Sequence, residues 1–180
     1  MVSGLSLFSG LSCNFWISLI GFQAIWWSLI LWGNSALLPA MLLLLAHLLF
    51  HRTPRQELQL MIYVALPGFL VDSMLTLAGV FVFPATAMVA PAWLLLLWFA
   101  FAATLNQALG WFSGRYLLAA LIGGVGGSST YIAAAELGAV SLGLGLVPAF
   151  LLLTLVWTLL FPFLIWLKDY RGGRDVCALR

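Results

Sequence analysis

Charge is what this sequence has least of. Of 180 residues, seven are Lys or Arg and five are Asp or Glu, and none of these falls within the first 51 positions. A charged fraction of 7% lies far below the roughly one quarter usual in soluble domains. That shortage excludes a solvated globular fold. Cysteine is nearly absent too. Cys13 and Cys177 lie at opposite ends of the chain with no ligand spacing between them, which argues against a disulfide framework or a cysteine zinc site. No Gly-Lys-Ser/Thr phosphate loop, nucleophile elbow or HExxH helix occurs. No Lys or Arg precedes the first apolar stretch, so a removable signal peptide is not expected.

What is abundant is apolar: 64% of residues are hydrophobic and the mean hydropathy is +1.15. A single helix over the uncharged first 51 residues would be about 75 Å long, against about 30 Å of bilayer hydrocarbon. It must turn back, and Gly33 with Asn34 and Ser35 offers a helix end and a new cap. The apolar runs predict an all-α polytopic membrane bundle of six transmembrane helices, over residues 11–32, 37–50, 58–80, 92–112, 116–140 and 146–167, in a single integral membrane domain spanning 1–180.

The basic residues orient it. Arg52, Arg55, Arg115, Lys168, Arg171, Arg174 and Arg180 all fall on one side of that arrangement, which makes both termini cytoplasmic by the positive-inside rule. This is what a multi-pass protein of a bacterial inner membrane requires, and it leaves no basic patch to assign to nucleic acid. Trp26, Trp27, Trp32 and Trp93 are expected near the outer interface, and Trp16, Trp111 and Trp166 near the inner one. Thr53, Pro54 and Gln56 read as the capped start of the third helix.

Asp72 interrupts the apolar run "ALPGFLVDSMLTLAG", where a charged Asp costs about 2.5 to 3.5 kcal/mol on insertion scales. Ala65, Gly68, Thr76 and Gly79 share its helical face, so that face is expected to turn inward against another helix. Counting along the spans brings Gln23, Asp72, Asn106 and Tyr131 within reach of one central layer, as a candidate intramembrane polar site. Asp72 is expected to be neutral or hydrogen-bonded there, paired mainly with Asn106 or Tyr131. In "IGGVGGSSTY", Gly123 and Gly127 form a GxxxG pair. They read either as a close helix contact or as an unwound segment lining a cavity. His47 and His51 have the i, i+4 spacing of metal ligands, but no third ligand is evident in the membrane, and neither a metal nor a cofactor is assigned.

Several segments together resemble a known family: "NF......FQ..WW" from Asn14 to Trp27, the Asp72 segment, "FP" at Phe83 and Pro84, "PAWLLLLWFAFAATLNQALGW" from Pro91 to Trp111, and "Y.....LGA" from Tyr131 to Ala139. They are similar to an uncharacterised family of proteobacterial inner-membrane proteins, catalogued as a domain of unknown function. A looser likeness, in a GxxxDxxL arrangement, is to lysoplasmalogenase-like membrane hydrolases. The family resemblance implies topology and a lipid-related setting, not a reaction. Three functions stay open. One is an accessory or lipid-linked membrane protein, with the bilayer as partner and a membrane lipid as candidate ligand. The others are a lipid-modifying enzyme using Asp72 and a small proton-coupled transporter.

Overall fold

The computed structural model describes residues 14–83 and 89–171. Cys13, Cys177, Pro84, Arg174, Arg180 and the first residues of the expected 11–32 span lie outside them. Among the described residues the fold is all-helical apart from one minimal strand pair.

Helix α1 (Phe15–Trp32) begins at Asn14, whose side chain accepts hydrogen bonds from the backbone N–H groups of Trp16 and Ile17 at 2.9 and 3.3 Å. It ends at Gly33, where φ 51 and ψ −128 leave the helical region and redirect the chain. Asn34 and Ser35 form part of a 3₁₀ turn (Gly33–Ala36) and do not cap the next helix, whose N-cap is Ala36. Helix α2 (Leu37–Leu49) follows at once, and α3 (Pro54–Leu77) starts with Pro54 in its first turn. Thr53 makes no side-chain cap there.

Helix α4 (Ala92–Ala102) stops ten residues short of the expected 92–112 span. The reason lies in the backbone. From Thr104 onward the bonds tighten to three-residue spacing, as in Thr104 N–H to Phe101 C=O and Leu105 N–H to Ala102 C=O, and the Thr104 hydroxyl also donates to Phe101 C=O at 2.6 Å. The tail runs through turns into a short 3₁₀ helix (Gly110–Phe112).

Helices α5 (Tyr116–Glu136) and α6 (Leu146–Tyr170) form the most extensive helix pair. The glycine-rich stretch is continuous helix, not an unwound segment, and Gly123 and Gly127 serve close packing against α6. A Cβ on Gly123 would lie 2.3 Å from Phe161, and one on Gly127 2.2 Å from Trp157. Small residues matter here because membrane helices gain stability from van der Waals contact, which closer backbones increase. Ser128 is buried in the same seam and accepts a hydrogen bond from the Thr154 hydroxyl at 3.0 Å.

The loops after α3 and α5 meet as an antiparallel pair, β1 (Phe81–Val82) with β2 (Ser141–Leu142), Phe81 opposite Leu142. Gly143 permits this approach, since a Cβ there would lie 2.0 Å from Gly79 C=O. The core is rich in aromatic residues, with Trp98 stacked on Trp157 at 5.5 Å between ring centres. Trp26 and Trp93 belong to that core and not to an interfacial belt, whereas Trp16, Trp27, Trp32, Trp111 and Trp166 are exposed.

Four helical stretches are long and apolar enough to cross a membrane: Phe15–Leu49, Pro54–Leu77, Tyr116–Glu136 and Leu146–Tyr170. Ala92–Ala102 is a shorter apolar helix.

Candidate functional site

Asp72 sits on the inward face of α3 and is 2% exposed. Its Oδ2 accepts two hydrogen bonds, from Trp98 Nε1–H on α4 at 2.6 Å and from the Tyr131 hydroxyl on α5 at 2.7 Å. An indole N–H can only donate, so Asp72 is an acceptor in that bond whatever its own protonation state. Gly68, one turn before Asp72, makes the approach possible, because a Cβ there would lie 2.3 Å from the Trp98 ring. Tyr131 is held from its other side by Phe81, stacked at 4.9 Å. One carboxylate therefore fixes two large rings from two other helices.

Those two rings form part of the wall of a half-open cavity of about 330 Å³ between α1, α4, α5 and α6. Phe22 and Trp26 of α1, Trp98 and Phe101 of α4, and Gly126 and Thr130 of α5 line it, with the Phe22 and Phe101 rings edge to face at 6.4 Å. The lining is almost wholly apolar. Leu109 and Phe112, in the unwound tail of α4, lie at its edge. Asp72 is not among the lining residues: Trp98 and Tyr131 stand between it and the cavity.

A second buried acid lies at the other end of α3. Glu57 is 1% exposed and gathers groups from three segments. His47 Nε2 of α2 is 3.1 Å from Oε1, His51 Nε2 in the α2–α3 loop is 3.5 Å from Oε2, and Asn106 Nδ2 in the α4 tail donates to Oε2 at 3.1 Å. Gln107 reaches His51, its amide 3.2 Å from Nε2. Thr53 N–H donates to His51 Nδ1 at 3.2 Å, so the neutral ring carries its proton on Nε2. That proton needs an acceptor, and turning the Gln107 amide so that Oε1 faces the ring supplies one while satisfying an oxygen that otherwise lacks a partner. Burial pushes the His51 pKa below its usual value and His47 acts in the same sense, with Glu57 opposing them.

This arrangement is unlike a metal site. A ligating histidine donates its second ring N–H, whereas the second nitrogen of His51 accepts one. Among the described residues no group of three or more His, Cys, Asp or Glu has the geometry to hold a metal ion.

The four residues read from sequence as one polar layer therefore separate. Asp72 and Tyr131 meet. Asn106 is bonded to Glu57 instead, because the α4 tail unwinds toward the α2–α3 loop. Gln23 is on the exposed face of α1. Gly123 and Gly127 pack against α6 and also border the cavity. Trp98 and Glu57 were not singled out from sequence. The antiparallel geometry of α3 and α4 carried the signal for Trp98: Asp72 lies five residues before the end of α3, and Trp98 six after the start of α4.

One family model, DUF2878, described as a protein of unknown function, matches residues 15–163. No curated protein and no solved structure matches the chain, lysoplasmalogenase-like hydrolases included.

Proposed function

The chain belongs to that DUF2878 family, and we propose that it is a six-span protein of the bacterial inner membrane that holds an acyl chain of a membrane lipid in the cavity between α1 and α5, without catalysis. The observation that carries this reading is the cavity itself. Its apolar lining would face the hydrocarbon of a bilayer, its volume of about 330 Å³ is at the lower end for ligand sites, and acyl chains are the solvent present at that depth. Asp72 supports the non-catalytic form, since it is spent on positioning Trp98 and Tyr131 and is screened from the cavity by both. A transporter built on a broken α5 is disfavoured by the continuity of that helix.

The six-span reading treats α1 and α2 as separate crossings and lets the tail to Phe112 complete α4. The side on which the basic residues fall supports cytoplasmic termini. Reporter fusions after Gly33, Val80 and Val140 are expected to read as periplasmic. A cytoplasmic signal at any of them would require a different threading.

Two glycines test the lipid reading. Gly126 and Gly21 both have open space where a Cβ would stand, but only Gly126 borders the cavity. Gly126→Leu adds bulk at the cavity border, where a Cβ meets no neighbour, whereas Gly21→Leu adds the same bulk on α1 away from it. Native mass spectrometry of the purified protein should show retained phospholipid in wild type and Gly21→Leu, and its loss in Gly126→Leu. Equal retention in both variants would remove the cavity from the account.

A further inference from the structure

Both histidines of this chain are in the Glu57 cluster, and that cluster joins three segments through one carboxylate. Its position matters because Asn106 and Gln107 occupy the α4 tail between Thr104 and Leu109, which border the cavity. We propose that His47, His51 and Glu57 form a proton-operated latch that holds the α4 tail in place and, on acidification at the cytoplasmic face, releases it and loosens the inner wall of the cavity. The regulatory half of this inference rests on the lipid-binding reading above, and the latch half does not.

The charges decide the direction. With both imidazoles neutral, the cluster holds one carboxylate served by N–H donors. Protonation of both rings places two imidazolium charges, with ring centres 5.6 Å apart, beside one buried carboxylate, where the charge on His47 opposes that on His51. The ionisable groups acting on His51 are Glu57 of α3 and His47 of α2. Arg52 and Arg55 beside it are exposed. On α6, Lys168 is hydrogen-bonded to Ser113 and lies 3.7 Å from Asp169. The α4 tail contributes the amides of Asn106 and Gln107, which do not titrate.

Burial lowers the His51 pKa in the closed cluster, so the open form binds a proton more readily. The latch is therefore fully closed above the free imidazole value of about 6.5 and weakens as pH falls below it. One such proton shifts the balance by about tenfold between about pH 7.5 and pH 5.5.

The test uses the full chain in phospholipid nanodiscs. Hydrogen–deuterium exchange of residues 103–112, corrected for the intrinsic pH dependence of exchange, should rise by about tenfold over that interval. Histidine NMR, with two imidazoles to follow, should give one midpoint below about 6.5 that coincides with the rise. His51→Gln should keep the segment protected at both pH values, and if that variant fails to fold, the wild-type titration still decides. Flat exchange, or both imidazoles titrating at or above about 6.5, overturns the latch. Photolabelling of the cavity by a diazirine-acyl phospholipid in the same samples separates the two claims. Labelling with flat exchange overturns the latch and leaves the lipid reading standing. A pH response without labelling supports the latch and removes its link to lipid.

Discussion

Glu57 and Asp72 stand on one helix, fifteen residues and about 22 Å apart, and both are buried, yet they are surrounded by different chemistry. Glu57 faces two imidazoles and a primary amide, groups that change charge near neutral pH or accompany those that do. Asp72 faces an indole and a phenol, both donors, the first stacked on Trp157 and the second on Phe81. The same kind of carboxylate thus answers two demands. At the start of α3 it gathers two imidazoles and an amide from the α2–α3 corner and the α4 tail, and near the end of the same helix it fixes rings that shape an apolar wall.

Removal of each acid should separate the two. Glu57→Leu leaves His47, His51 and Asn106 without their common acceptor and should cost about 3 kcal/mol, since breaking a buried charged cluster from one side leaves its partners uncompensated. Asp72→Leu orphans two neutral donors and should cost about 2 kcal/mol. Tyr131→Phe, which removes one hydrogen bond and keeps the Phe81 stack, should cost about 0.6 kcal/mol. Unfolding in mixed micelles measures the series. An Asp72→Leu cost equal to or above that of Glu57→Leu would reverse the ranking of the two buried acids.

Much of this was legible in the sequence, for reasons that can be named. Hydropathy and Gly33 fix the helix order because a bilayer allows few ways to satisfy a backbone. The small face around Asp72 revealed its inward orientation, and counting depth brought Tyr131 to the same level. His47 and Glu57 are symmetric about the α2–α3 turn, five residues on either side of position 52, so antiparallel helices must bring them together. That pairing is readable from the turn alone, whereas the i, i+4 spacing of His47 and His51 points elsewhere. The placement of Asn106 was not readable. It depends on α4 giving way to three-residue hydrogen bonding after Ala102, and no proline marks that point. The contact between Phe81 and Leu142 likewise joins two loops with no local pattern to announce it.

Glycine carries a related lesson within α5. Gly123, Gly127 and Gly126 look alike in sequence, but the first two have aromatic rings of α6 where a Cβ would stand and the third has empty space. Side-chain packing, not helical spacing, distinguishes a contact glycine from a cavity glycine.

The most direct measurement of the central claim is photolabelling of the intact protein, in bilayers of phospholipid carrying a diazirine midway along one acyl chain, followed by peptide mapping. Adducts should concentrate on Phe22, Trp98, Phe101 and Thr130, which line the cavity, above the level found on the outward faces of α2 and α6. Adducts spread evenly over all exposed faces, with no enrichment at those four residues, would contradict a bound acyl chain.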